Sequence, residues 1–296
     1  MIRKGLNEPP KGKYERGEKG KCQYGKGVNG HFDLGRIAET IHNDGLPDVL
    51  CFQEVSRNYP SNDKGADQVK ELENFFPEYE SFFGAVHDRS VGKLKTRKQF
   101  GNLVLSRLSP LQVLQHLLPS PADPEVRFMS RQIAELVLPA NTIDLRVMTT
   151  HLEFFSKIQQ LAQIQRIREI HKEAFCQFHK PGKDMPDTPF ELIKRPEKTV
   201  ICGDFNFIPD STPYRKMTAK FSDNNMDLVD AWRAHQGVNT HTPTCGIFDF
   251  KQWKMGPHCR DYFFLSQSLV QKINQVSVNT ETDASDHQPI RLVLDV

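Results

Sequence analysis

Nothing in the 296 residues approaches the unbroken run of about 18 apolar residues that a membrane-spanning helix needs. The first twenty residues are rich in Lys, Gly and Glu and lack the apolar core of a secretory leader. Neither sign of charge is in excess. The 39 Lys and Arg stand against 37 Asp and Glu, a net charge of +2, so charge alone does not point to a nucleic-acid partner. Cysteine is sparse and scattered, at positions 22, 51, 176, 202, 245 and 259, and no CxxC pair occurs. That usage argues against a disulfide framework. With Cys51 and Cys202 inside apolar runs, it implies reduced thiols and a cytoplasmic protein. His241, Cys245, His258 and Cys259 fall near one another, but the adjacent His258-Cys259 pair does not match structural-zinc spacing. No serine nucleophile elbow, dinucleotide fingerprint or kinase signature is found. The stretch from Gly20 to Gly27 comes near a phosphate-binding loop. Gly27, however, stands where Ser or Thr would hold magnesium, and no apolar strand precedes it.

What is present is an ordinary globular composition, 38% hydrophobic and 26% charged, long enough for one large α/β domain. Residues 1–21 read as an irregular basic segment and 22–296 as a single domain. Asp33 caps a helix over 33–45 whose Leu34, Ile37, Ala38 and Ile41 share one face. A second helix is expected over 64–79, and a long one after Ser156. Strands are expected at 47–54, 101–107, 131–138, 144–150, 200–202, 262–265 and 290–294. The stretch 87–99 reads as an exposed loop carrying Arg89, Lys93, Lys95, Arg97 and Lys98, and 180–197 as a surface connection. Residues 241–260 read as an irregular aromatic and basic stretch. Strands predominate without regular βα alternation, which predicts two packed sheets flanked by helices rather than a doubly wound parallel sheet.

Several of these strands border reactive side chains. The run Val200–Cys202 stops at Gly203, and Asp204 and Asn206 follow on one side of the extended chain. Alone, that pair reads equally well as an Asx turn or as a ligand pair. Glu54 ends the strand at 47–54, and His151 ends the one at 144–150. Asp261 precedes 262–265, and Asp286-His287 precede 290–294. Carboxylate and amide oxygens suit a hard divalent cation, and a histidine beside a carboxylate suits proton transfer. Phosphate-ester hydrolysis asks for charge neutralisation, a positioned water and a proton acceptor.

Gln53-Glu54, Gly101-Asn102 with Ser106-Arg107, Thr150-His151-Leu152, Gly203-Asp204-Phe205-Asn206, Arg260-Asp261-Tyr262 and Ser285-Asp286-His287 occur in an order that resembles the endonuclease/exonuclease/phosphatase superfamily. The resemblance implies a four-layered α/β sandwich, with two packed, mainly antiparallel sheets flanked by helices. It also implies cleavage of phosphoester bonds dependent on Mg2+, with Mn2+ as the alternative ion. Carried over by position, Glu54 and Asp286 are expected at the metal. Asp204 and Asn206 are expected to handle the attacking water or a phosphate oxygen. His287, oriented by Asp261, is the expected catalytic histidine, and His151 the expected aid to the leaving group or phosphorane. AP endonucleases tend to have a tyrosine in the place of His151. Asn102, Arg107, Arg131 and Trp253 are expected to bind substrate. Family domains open with an apolar strand ending in asparagine; here Lys21 falls in that place behind a hydrophilic stretch, 15–20. The basic segments 87–98 and 251–260 favour nucleic acid as substrate. The alternatives are a phospholipid or inositol-phosphate phosphatase, and a catalytically impaired binder of a phosphate ligand on account of Lys21. No obligate protein partner is expected.

Overall fold

The computed structural model describes residues 33–59, 65–92, 94–140, 144–192, 195–237 and 240–296. Lys21, Asn29 and the phosphate-loop-like stretch lie outside the described residues. In chain order the elements are α1 (Leu34–Asn43), β1 (Val49–Arg57), α2 (Gln68–Phe75), β2 (Glu80–Val91), β3 (Leu94–Ser106), β4 (Gln112–Leu117), β5 (Gln132–Leu138) and β6 (Leu145–His151). They continue with α3 (Lys157–His179), β7 (Thr199–Asp204), α4 (Thr212–Met217), β8 (Leu228–Asp230), α5 (Ala231–Gln236), β9 (Asp261–Ser266), β10 (Ile273–Val278) and β11 (Ile290–Leu294).

Among the described residues the strands form a three-stranded sheet, β1-β3-β2, a six-stranded sheet, β4-β5-β6-β7-β9-β8, and the pair β10-β11. All of these pairings are antiparallel except β6 with β7. Period-two alternation sorts the side chains into layers. Phe52, Leu103 and Leu105 meet Ile37, Ile41, Leu72 and Phe76 of α1, α2 and the loop after α2 on the outside of the small sheet. Cys51 and Val104 meet Ala134, Leu136 and Cys202 between the sheets. Ile133, Met148, Ile201 and Phe264 meet Ile164, Ile167 and Ile170 of α3 outside the large sheet. The order is helices, sheet, sheet, helix. The helices start at side-chain caps, Asp33 accepting from Arg36 N and Ser156 from Gln159 N. Such caps are worth about 1 kcal/mol each.

One expected loop is a hairpin. Residues 87–92 and 94–99 extend β2 and β3 past the body of the sheet, with Gly92 at φ 57°. Polar composition suggested a loop because both faces of this extension meet solvent. Cross-strand pairs, Asp88 with Arg97 and Gln99, hold it extended. β4, β8, α5 and β10 are absent from the sequence reading. They are short and draw their order from neighbouring elements rather than from a strong periodicity of their own.

Candidate active site

On the large sheet, alternation turns Val147, Thr149 and His151 of β6 toward the small sheet. It does the same for Cys202 and Asp204 of β7. His151 lies opposite Asp204 in the parallel pair, and Asp204 opposite Asp261 in the antiparallel one. Three candidate site positions therefore stand abreast on adjacent strands, all buried. Gly203 makes this possible: a Cβ there would lie 1.9 Å from the Thr150 carbonyl oxygen, and its φ is 145°.

Glu54 reaches the row from the other sheet through a β-bulge. Phe52 faces Leu103 and Val55 faces Gly101, so three steps on β1 match two on β3. Phe52 and Val55 both join the helix-facing core. The extra residue, Glu54 with φ 59°, is taken off that apolar face. Its carboxylate stands 3.7 Å from His151 Nδ1, while Asp204 Oδ2 stands 3.6 Å from His151 Nε2. Gln53 donates to Thr149 Oγ1 across the same interface at 3.0 Å. The sequence placed Glu54 at a strand end; it lies within the strand instead, since β1 resumes after the bulge as far as Arg57.

Asp204 Oδ1 accepts from Asn206 N at 2.7 Å, so the Asx-turn reading describes the local geometry correctly. The Asn206 amide donates to the Leu152 carbonyl at 2.8 Å, and its Oδ1 is buried with no hydrogen-bond partner among the described residues. Gln160 of α3, a residue the sequence gave no reason to select, donates to the carbonyls of Glu153, Phe205 and Asn206 and holds the loops after β6 and β7 together.

His287 comes from the loop before β11. Its Nδ1 lies 2.7 Å from Asp261 Oδ2, which also accepts from Thr244 Oγ1 at 2.6 Å. Thr244 Oγ1 in turn accepts from the backbone N–H groups of Arg260 and Asp261. It is a second residue missed by sequence reasoning, because its partners are about 16 residues away along the chain. Trp253 stands edge-on to His287 at 5.6 Å and is itself buried, so it walls the histidine rather than offering a free stacking face. Asp286 Oδ2 accepts from Gln252 Nε2 at 3.0 Å. His258 takes a hydrogen bond from Arg260 Nε at 2.8 Å. Burial, with Arg260 beside it, holds its pKa down at about 4, and the ring is neutral near pH 7.

The structure divides the expected substrate contacts. Arg131, buried, donates to Glu153 at the end of β5 that borders His151. Asn102 sits beside the bulge, paired with Gly84. Arg107 lies at the other end of the small sheet, bonded through its N–H to the Asp48 carbonyl. Asp48 is six residues before Glu54, about 20 Å of extended strand, which removes Arg107 from this site. The His/Cys group also divides: Cys245 meets His258, whereas His241 bonds Asp230 at 2.6 Å.

Among the described residues, no three His, Cys, Asp or Glu side chains converge as a ready-made metal cage. Hard oxygen donors are nevertheless concentrated here: two buried carboxylates flank one imidazole, beside the Asn206 oxygen. That donor set fits a largely hydrated magnesium, which takes one or two carboxylates and fills its shell with water and substrate oxygens, better than it fits zinc.

A model of the endonuclease/exonuclease/phosphatase family matches residues 26–287. The chain belongs to that family. Family members are hydrolytic phosphoesterases and are generally dependent on a divalent metal. Solved structures share the family fold. A family protein from Beutenbergia cavernae superposes with a TM-score of 0.63 at 20% identity, over 89% of this chain and 66% of that one. This chain thus spans slightly less than two thirds of that protein. A mannosyl-6-phosphatase from Bacteroides thetaiotaomicron gives 0.59 at 17% identity, over 87% and 89%. A 3' phosphatase from Neisseria, bound to a product DNA hairpin, gives 0.56 at 16%, over 89% and 96%. No curated protein sequence matches the chain.

Proposed function

We propose that this chain, over 22–296 as one domain, is a Mg2+-dependent phosphodiesterase of the cytoplasm acting on nucleic acid. The observation that carries the reading is the in-register row His151, Asp204 and Asp261, with Glu54 above it and His287 bonded to Asp261. Glu54 and Asp286 would hold the ion, which when bound neutralises charge on the phosphoryl oxygens. Asp204 and the Asn206 amide orient the attacking water. Asp261 fixes the His287 ring, so that its other nitrogen is presented to the phosphoryl group. His151, held between the Glu54 and Asp204 carboxylates, serves the leaving oxygen.

Two exposed basic surfaces support nucleic acid: Arg89 and Arg97 on the β2–β3 hairpin, and Lys251 and Lys254 before β9. A second reading, a phospholipid phosphatase, is favoured by Phe250 and Met255. These are 65% and 61% exposed on the same loop as Trp253. The test is a rate screen over DNA, RNA, inositol phosphates and sphingomyelin, with Mg2+ and with EDTA, on the native protein and on Asp204→Ala and His287→Ala. Cleavage of DNA or RNA that is lost in EDTA and in both variants is expected. Equal rates under all conditions overturn the hydrolase assignment. Tight calorimetric binding without turnover identifies an impaired binder.

A further inference from the structure

An aromatic rim with interleaved cations borders His151. Glu153, two residues after His151 and fully buried, accepts from the N–H groups of Phe154 and Phe155, both at 2.9 Å. Its other oxygen accepts from Met129 N at 3.5 Å and from Arg131 Nε at 3.4 Å. Ser156 donates to Asp123 Oδ2 at 2.6 Å and Gln159 to the Pro121 carbonyl at 2.9 Å, so the chain before β5 is fastened to the turn after β6. On this footing the Arg127 guanidinium lies 4.4 Å from the Phe155 ring centre, and Phe155 stands edge-on to Phe154 at 4.9 Å. Arg260 meets both Phe154, at 5.1 Å, and Trp253, at 4.6 Å, and Trp253 borders His287. Phe128, 52% exposed, follows the exposed Arg127 in the chain at the outer end of the rim. We infer that this outer end, Arg127 and Phe128, stacks unpaired bases of a single-stranded nucleic acid whose backbone runs past His151.

The inference rests on nucleic acid being the substrate and goes further, naming the form it takes. Inside a duplex each base already stacks on its neighbours and offers only its edge. A ring or guanidinium face therefore finds a base to stack on only where bases are unpaired. Charge decides between a nucleic acid and a membrane. Rings alternate with guanidinium groups along the rim, the one suiting the face of a base and the other the phosphate between bases. A membrane-seeking surface would instead segregate its apolar and charged side chains onto opposite faces. The rim is also preorganised. Glu153 and Ser156 hold its two segments together, so little ordering is lost when a strand binds.

The experiment uses the whole 296-residue protein and fluorescein-labelled strands, made as DNA and as RNA. The probes are a single strand, the same strand in a duplex, and the same strand with abasic spacers in place of its bases. Anisotropy is read in EDTA and cleavage in Mg2+. The single strand is expected to bind at least about tenfold more tightly than the duplex or the spacer strand, in DNA, RNA or both. Phe128→Ala, at an exposed position, should weaken single-strand binding about tenfold and leave spacer-strand binding unchanged. Phe128→Tyr keeps a ring and should bind as the native protein does. Should Phe128→Ala fail to fold, the native protein's preference between the based and spacer strands decides. Equal affinity for those two strands, duplex binding as tight as single-strand binding, or an equal effect of Phe128→Ala on both strands overturns the proposal. So does saturable binding to phosphatidylserine–phosphatidylcholine vesicles that Phe128→Ala abolishes while strand binding is untouched. Base-dependent binding without cleavage upholds the subsite and overturns the hydrolase reading; cleavage without base-dependent binding does the reverse.

Discussion

Asp261 Oδ2 is shared by Thr244 Oγ1 and His287 Nδ1. The two donors fix the carboxylate and, through it, the imidazole plane. Asp261→Asn keeps the volume but replaces one oxygen with a donor, and the ring then loses its acceptor or its tautomer. We predict a fall in kcat of about 10²- to 10⁴-fold with KM little changed, the range typical for losing positioned acid–base catalysis. Thr244→Val leaves the His287 contact and removes the other, and a loss of about tenfold is expected in the same steady-state assay. A larger loss from Thr244→Val than from Asp261→Asn would show that the pair is not the unit that matters. Asp261 and His287 were legible in the sequence because acidic and imidazole side chains at strand borders are chemically conspicuous. Thr244 and Gln160 were not, since each becomes important only through partners distant in the chain.

Elements were legible where a periodicity was strong: α1, α3, β5, β6 and β11 fall close to their expected spans, whereas the β2–β3 hairpin and the β1 bulge were hidden. A bulge leaves no compositional mark, and Glu54 shows why that matters, because one inserted residue decides which face it joins. The α3 interface carries its own prediction. His171 of α3 bonds the Met226 carbonyl and meets Arg146 of β6, which also approaches Glu135 of β5. Burial first, and then the Arg146 charge, push the His171 pKa down to about 3. For Glu135, burial works to raise the pKa, but the His116 hydrogen bond and the charges of Arg146 and Arg195 outweigh it and bring it to about 2. Both folded values lie below their unfolded ones, so the unfolded chain binds more protons in acid. The His171 contribution is complete above about pH 6.5 and is lost as pH falls toward 3. The Glu135 contribution is complete above about 4.5 and is lost toward 2. Between pH 6.5 and 4, His171 alone should remove about 3 kcal/mol of unfolding free energy. Urea melts across that range check this. His171→Gln should flatten the upper window, and Glu135→Gln only the part below about 4.5.

At the scale of the molecule, the site spans two sheets: Glu54 belongs to one, and His151, Asp204 and Asp261 to the other. Their separation is set by the small residues packed between, Ala134 and Cys51 among them. The outer core under α3 does not set it, because Ile170 touches only the far face of the large sheet. Stability and activity should therefore respond differently to the two cores. Ala134→Leu forces extra volume between the sheets at a cost of about 1 to 3 kcal/mol. Because it also moves Glu54 away from His151, we predict a fall in kcat of about 10²-fold, the penalty expected for displacing a reacting group by about 1 Å. Ile170→Val, at about 1 kcal/mol, loosens the helix without parting the sheets and should leave kcat within about twofold of native. Thermal melts and initial rates on the two variants test the contrast. If equal losses of stability give equal losses of rate, activity follows global stability, and the gap between the sheets does not tune the site.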